Sequence, residues 1–313
     1  MMEKMTRPTK LAEAYDYCIK LAHSRYENFP VASFLLPRHL RKVVSVIYAF
    51  ARTADDIADE GDTLDEERLQ RLDEYQQQLS LIDQKNYQGD AAIFIALNDV
   101  VHRYGLPIYL LQDLLSAFRQ DVIQKRYQDD EAVLDYCQRS ANPIGRLLLH
   151  LNNKSTETEL KQSDAVCTAL QLINFYQDIQ QDLHERNRVY LPLDDFASLN
   201  LTEKSLFDVN STNFAPILRK KYQLAENLLC EGLPLGQMLR GRLGWEVRVV
   251  TLMGIVILKK LSAQSDEALY TRPHLSKHHF LLYASLALFP SIYRYFSQKY
   301  LRNISVLNAK NIK

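Results

Sequence analysis

Helical periodicity runs almost unbroken through this chain. Apolar residues recur three and four positions apart over most of its 313 residues, and only 9 glycines punctuate them. Regularly spaced turn signals between short alternating runs, the mark of strands, are absent. The pattern predicts helices near 9–25, 37–60, 65–84, 90–104, 107–123, 130–152, 159–184, 202–207, 211–232, 234–264 and 276–300. Linkers such as DTLDEE and LNNKSTETE are short and polar. No repeat of fixed period is present, which argues against a solenoid. The expectation is one all-α domain over 1–313, its helices packed round a central space and the tail from about 266 peripheral to it.

Lys plus Arg equals Asp plus Glu at 38 each, so the chain lacks the basic excess that a nucleic-acid footprint needs. The four cysteines, Cys18, Cys137, Cys167 and Cys230, are scattered and form no C-x-x-C pair. A reducing, cytoplasmic location is expected on that ground. The start, MMEKMTRPTK, has no apolar core of a signal peptide. VVTLMGIVIL (249–258) is too short to span a membrane. FLLYASLALFPSIYRYF (280–296) is near the lower limit and carries Pro290. It reads either as a buried C-terminal helix or as a peripheral contact with a membrane surface, which would suit a lipid substrate.

Two helices carry carboxylates where a core helix should not. From Pro37 to about Glu60, the line Tyr48, Arg52, Asp55 and Asp59 shares one face, while Val43, Ile47, Phe50, Ala54 and Ile57 fall on apolar faces. The polar line is narrow, whereas a merely solvated face is broader and richer in Lys and Glu. In CTALQLINFYQDIQQDLHERNRVYLP, the line Gln171, Asn174, Asp178 and Asp182 repeats the arrangement, with Leu172, Phe175 and Ile179 pointing elsewhere. Positions four apart are offset by only about 40°, so Asn174, Asp178 and Asp182 present three oxygen ligands along one side. Two such lines facing each other would repel unless cations lay between them. Mg²⁺ prefers oxygen ligands and is usually held by one or two carboxylates plus substrate phosphates. Asp55 and Asp59 on one wall, with Asn174, Asp178 and Asp182 on the other, are therefore the expected ligands for Mg²⁺, or Mn²⁺ in its place, gripping a diphosphate.

A diphosphate also needs cationic clamps, and guanidinium binds phosphate oxygens in pairs. Arg52 precedes Asp55, and Arg186, Arg188 and Tyr190 follow Asp182. His23, Ser24 and Arg25, in HSRYENFP, are further candidate phosphate donors, or simply a polar helix end. In YCQRSANPIGRLLLHL, Pro143 and Gly145 interrupt a helical pattern. They read either as a kink whose freed carbonyls face a cavity and steady a carbocation, or as a helix boundary. Tyr136, two turns earlier, would add a phenol to the same pocket.

These segments resemble the squalene/phytoene synthase family. FLLPRHLRKVVSVIYAFARTADDIADEG, YCQRSANPIG and LQLINFYQDIQQDLHERNRVYLP carry the resemblance, in matching order and separation, over roughly residues 10 to 265. It implies the all-α isoprenoid (terpenoid) synthase fold with a central cavity, two aspartate-rich motifs and a prenyl diphosphate substrate. Asp55 and Asp59, with Asp56 adjacent, correspond to the first motif, and Asn174, Asp178 and Asp182 to the second. Tyr48, Arg52, Tyr136, Gln171, Arg188 and Tyr190 fall where the family lines its substrate site. Three departures stand out. Ala141-Asn142-Pro143-Ile144-Gly145 replaces Ala-Gly-x-x-Gly, Gln177 stands where an arginine is usual, and the segment after Asp182 is longer, which leaves the choice between Arg186 and Arg188 open. With YENFPVAS, RGRLGWEVR and TRPHLSKHHF, these look most like one branch of the family. Members of that branch convert presqualene diphosphate and water to hydroxysqualene for hopanoid biosynthesis.

That chemistry expects Asn142 and Gln177 to place the water, beside Tyr48, Arg52 and Tyr136. No G-x-G-x-x-G fingerprint is present, so no nicotinamide is expected. Two alternatives stand beside this reading. One is head-to-head condensation of farnesyl or geranylgeranyl diphosphate to presqualene diphosphate, squalene, dehydrosqualene or phytoene. The other is a non-catalytic assembly factor, whose mark would be lost ligands, whereas all five ligand positions are intact. Enzymes of the same pathway are conceivable partners.

Overall fold

In the computed structural model, residues 10–24, 38–61, 63–203, 206, 214–265, 272–273 and 275–311 are described. The first helices are α1 (Lys10–Ser24), α2 (Arg38–Asp59), α3 (Asp65–Asp83), α4 (Ala92–Tyr104) and α5 (Ile108–Ile123). Next come α6 (Asp130–Ser140), α7 (Asn142–Leu151), α8 (Glu157–Gln177), α9 (Ile179–Arg186) and α10 (Leu193–Ser198). The last are α11 (Ala215–Gly232), α12 (Leu235–Met238), α13 (Gly241–Ser262), α14 (Lys277–Ala287) and α15 (Pro290–Asn311). Among the described residues there is no strand, only an isolated parallel bridge between Arg126 and Val189.

The chain gathers into two compact units. One holds α1 to α5 with 147–154, and the other holds 125–146 and everything from 155 onward. In the first unit, α2 is the axis. Val46, Ala49, Phe50 and Ala54 are fully buried on its apolar faces. Phe50, Tyr75 and Phe94 form an aromatic cluster, with the Tyr75 and Phe94 rings edge to face at 4.8 Å. The C-terminal end of α2 is held by one side chain. Arg68 of α3 is buried and donates to the carbonyls of Ile57 (3.2 Å), Ala58 (2.6 Å), Gly61 (2.6 Å) and Thr63 (3.0 Å). The last carbonyls of a helix lack partners and carry partial negative charge, so a guanidinium there satisfies both needs.

In the second unit, α8 is the axis and α11 and α13 pack on it. Close approach depends on glycine at two contacts. A Cβ on Gly254 would lie 2.7 Å from Leu170 Cδ2, and one on Gly145 would lie 2.3 Å from Ser163 Oγ. Lys221 of α11, fully buried, is paired with Asp130 and Asp195 and so fastens α6 and α10 to α11.

Four predicted helices are divided. The helix expected over 130–152 breaks at Ala141, and Pro143 falls in the first turn of α7, where its missing N–H costs nothing. Of the two readings open for Pro143, the helix boundary is the one that forms. Gly145 is explained by its contact with α8 rather than by a kink. The helix expected over 159–184 divides at Asp178. That over 234–264 divides before Gly241, whose φ of 63° ends one helix and starts the next. That over 276–300 divides ahead of Pro290. The short helix α10 was not expected, and half of the one predicted near 202–207 lies outside the described residues.

Candidate active site

The first carboxylate line stands on an unbroken helix. Tyr48, Arg52, Asp55 and Asp59 are all half-buried on α2. Arg52 is engaged along its whole guanidinium, with Asp55 at 3.2 Å, Asp56 at 2.7 Å and Glu60 at 3.0 Å. Burial raises the Asp55 carboxyl to about 7; the charge of Asp59 pushes the same way and Arg52 opposes it. Asp121, buried on α5, adds to the upward push. Asp121 was not singled out from sequence, although a lone acid in the apolar last turn of α5 was the available signal. His23 and Ser24 close α1 on the surface, where the Ser24 hydroxyl donates to the Leu21 carbonyl at 2.9 Å. Arg25 lies outside the described residues.

The second line crosses a helix break. Gln171 and Asn174 sit on α8, Asp178 is the junction with φ −106° and ψ 14°, and Asp182 is in the first turn of α9. The spacing survives the break because the backbone bonds continue. The Asp178 amide donates to the Asn174 carbonyl at 3.0 Å, and the Asp182 amide to the Asp178 carbonyl at 2.8 Å. Asn174 is exposed, whereas Asp178 and Asp182 are buried. Asp182 is raised to about 7 by burial, with Arg186 and Arg188 opposing and Asp178 reinforcing. Asp55 keeps 33% of its side chain exposed and Asp182 only 13%, so solvent moderates the first shift more than the second.

Three arginines stand about this second line. Arg186 pairs with Asp182 at 3.2 Å. Asn187, in the left-handed region at φ 51°, reverses the chain, so that the Arg188 amide donates back to the Asp182 carbonyl at 3.0 Å and the Arg188 side chain is buried. Both arginines therefore adjoin Asp182, and the alternative left open by the sequence resolves into a buried and an exposed partner. The third is Arg272, which holds Asp178 through two contacts, Nε to Oδ1 at 2.7 Å and Nη2 to Oδ2 at 3.1 Å. Its distance along the chain concealed it.

Below this line lies an aromatic cluster. Phe175 and Tyr190 are stacked with centroids 3.6 Å apart and planes 5° from parallel. Tyr136 lies 6.0 Å from Phe175 and 5.7 Å from Tyr190, and Tyr127 stacks on Tyr190 at 5.5 Å. A narrow recess is bounded by Phe175, Tyr176, Ile179, Asp182, Arg188 and Tyr190. Asn142 is buried and its amide oxygen accepts the Thr168 hydroxyl at 2.9 Å, stapling α7 to α8. Gln177 is half-buried and donates to the Pro273 carbonyl at 3.0 Å.

Among the described residues, no group of three or more His, Cys, Asp or Glu side chains converges as a ready-made metal cage. The donor sets instead suit a hard cation that keeps waters and takes few protein ligands. Every one of the five candidates offers oxygen, and Asp55 and Asp182 are desolvated carboxylates that a nearby divalent charge would relieve.

The family model for squalene/phytoene synthase matches residues 22–279. Hydroxysqualene synthase of Rhodopseudomonas palustris is 36% identical over 280 residues, covering 86% of this chain and 90% of that protein. Phytoene synthase of Mycobacterium tuberculosis is 27% identical over 231 residues, covering 72% of this chain and 74% of that protein. The crystal structure of squalene synthase HpnC from Alicyclobacillus acidocaldarius is similar at a TM-score of 0.74 and 31% identity, covering 82% of this chain and 95% of that one. The all-α architecture is thus that of the isoprenoid synthases.

Proposed function

Because the chain belongs to the squalene/phytoene synthase family, we propose that this enzyme converts presqualene diphosphate and water to hydroxysqualene and diphosphate. The observation that carries this choice within the family is its greater similarity to a hydroxysqualene synthase than to a phytoene synthase, over a longer stretch.

Asp55 and Asp59 on α2, and Asn174, Asp178 and Asp182 about the α8–α9 junction, would hold Mg²⁺. When bound, the ion supplies positive charge to the diphosphate oxygens and so makes diphosphate a better leaving group. Arg188 and Arg186 bind diphosphate oxygens beside Asp182, and Arg272 does so beside Asp178. Departure of diphosphate leaves a cyclopropylcarbinyl cation in the hydrocarbon chain. The face of Tyr136, and the face of Phe175 turned away from Tyr190, carry negative quadrupole charge that would stabilise it. Water then adds to the cation and loses a proton to give the alcohol. Asn142 and Gln177 remain the candidates for orienting that water, through the Asn142 amide nitrogen and the Gln177 amide oxygen, the groups not used in the bonds to Thr168 and Pro273.

The test is product analysis of purified protein given presqualene diphosphate or farnesyl diphosphate, with Mg²⁺ and without nicotinamide. Alcohol from presqualene diphosphate alone is expected. Hydrocarbon or presqualene diphosphate made directly from farnesyl diphosphate would assign the chain to head-to-head condensation instead.

A further inference from the structure

We propose that the outer faces of α14 and α15 form a docking surface for an anionic lipid bilayer, whichever prenyl diphosphate the enzyme turns over. The inner faces of these helices are firmly seated. Trp245 donates to the Ala284 carbonyl at 2.8 Å and Arg248 to that of Ala287 at 2.6 Å. Tyr293, fully buried, donates to the Leu233 carbonyl at 2.9 Å, and the Tyr300 hydroxyl to Glu226 at 2.7 Å. Helices anchored in this way could carry any polar residue outward. Instead they present Leu281 (63% exposed), Leu282, Leu288, Phe289 (56%), Tyr295 (62%) and Phe296. Leu288, Phe289, Ile292, Tyr295, Phe296 and Lys299 follow the three- and four-residue spacing of one helical ridge, and Leu288 and Phe289 form its tip between the two helices. An exposed apolar ridge of this kind on a seated helix marks an interaction surface.

Charge selects the partner. From residue 268 to residue 313 the sequence has seven Lys and Arg and no Asp or Glu, although the whole chain is neutral. Among the described side chains of this region, Arg294 and Lys299 are exposed alongside the apolar ridge. Leucine and aromatic side chains beside cations, on helices too short and too polar to cross a bilayer, match the chemistry of a surface that lies in an anionic lipid interface. The family match ends at 279, just inside α14, so most of this surface lies beyond the matched residues.

Co-flotation of the full chain with vesicles tests the proposal. Phosphatidylcholine vesicles containing about 30% phosphatidylglycerol should bind the protein at about 50 mM salt, and about 500 mM salt should release much of it. Arg294→Glu with Lys299→Glu should lower partitioning at least about tenfold, since each cation near the surface contributes a severalfold factor. Leu288→Ser with Phe289→Ser should lower it comparably, with an unchanged melting temperature for both variants because all four residues are exposed. Should either pair fail to fold, the salt series and the other pair decide. Absence of binding to anionic vesicles, equal binding to neutral ones, or wild-type binding by the folded variants would overturn the proposal. So would a dimer that the Leu288 and Phe289 changes dissociate, with no vesicle binding in the parent chain, which would assign the ridge to self-association.

Discussion

The two carboxylate lines stand on different scaffolds. Asp55 and Asp59 stand on a continuous helix, clamped at its C-terminal end by Arg68 through four carbonyls. Asn174, Asp178 and Asp182 straddle a break, where continued backbone bonds preserve the spacing while a new helix begins. In the first, a neighbouring helix grips the backbone and one arginine of the same helix, Arg52, pairs with Asp55. In the second, arginines from other turns and from a distant segment grip the carboxylates, Arg272 on Asp178 and Arg186 on Asp182.

The largest effect expected is on turnover, and it should be alike for both lines. Asp55→Asn or Asp182→Asn should each lower kcat by about 10²–10⁴, as losing a ligand forfeits several kcal/mol of charge stabilisation on the leaving group. Circular dichroism should show both variants folded, because the apolar faces are untouched. Near-parental turnover in either variant would remove its line from the site.

Stability should separate the lines. Arg68→Ala strands the α2 carbonyls and should cost about 2–4 kcal/mol, read as a lower denaturant midpoint, with Arg68→Lys recovering part of it. With Mg²⁺ present, Arg272→Gln should leave the midpoint within about 1 kcal/mol, because a cation can meet the buried Asp178 carboxylate that it uncovers; without metal, that unpaired carboxylate should cost about 1–3 kcal/mol. The same change should raise KM for the diphosphate about tenfold, a loss of about 1.4 kcal/mol.

The dependence of stability on pH follows from burial. Asp55 and Asp182 have folded-state values near 7, above those of the unfolded chain. Between about pH 4 and 7 the folded protein therefore holds protons that the unfolded chain has released, so stability from these groups is present at low pH and is lost as pH rises through 7. Metal-free protein should melt higher at about pH 6 than at about pH 8 in so far as these groups control it. Added Mg²⁺ should raise the melting temperature by at least about 2 °C at pH 8 and by less at pH 6, since protons compete for the same oxygens. The smallest effect concerns the aromatic cluster. Phe175→Leu should change KM by less than about threefold while altering the product mixture, because ring faces act on the cation more than on the bound diphosphate. An unchanged product profile would remove Phe175 from the lining.

Much of this was legible in the sequence, and the exceptions have physical causes. The first line was readable because α2 is continuous, so a 3.6-residue period places Arg52, Asp55 and Asp59 without error. The second line was assigned to one long helix, since periodicity does not register a break that keeps its backbone bonds. Pro143 and Pro290 each signalled an interruption, and in both cases the interruption is a boundary between helices. Asp121 and Arg272 escaped because each acts on a residue far away along the chain, and Arg68 because it reaches back from the next helix to the end of α2. Their roles depend on packing, to which the period of a single helix is blind. The bond from the Thr168 hydroxyl to the Asn142 amide oxygen also depends on packing of α7 against α8 and had no signal in the sequence.

The proposal most in need of a test is that each line binds cations in support of diphosphate binding. Calorimetric titration of a non-hydrolysable prenyl diphosphate analogue in millimolar Mg²⁺, into the parent chain, Asp55→Asn, Asp182→Asn and the double variant, addresses it most directly. Either single change should weaken binding strongly, and the double variant should bind no more tightly than the weaker single one. Full binding in either single variant would contradict the proposal for that line.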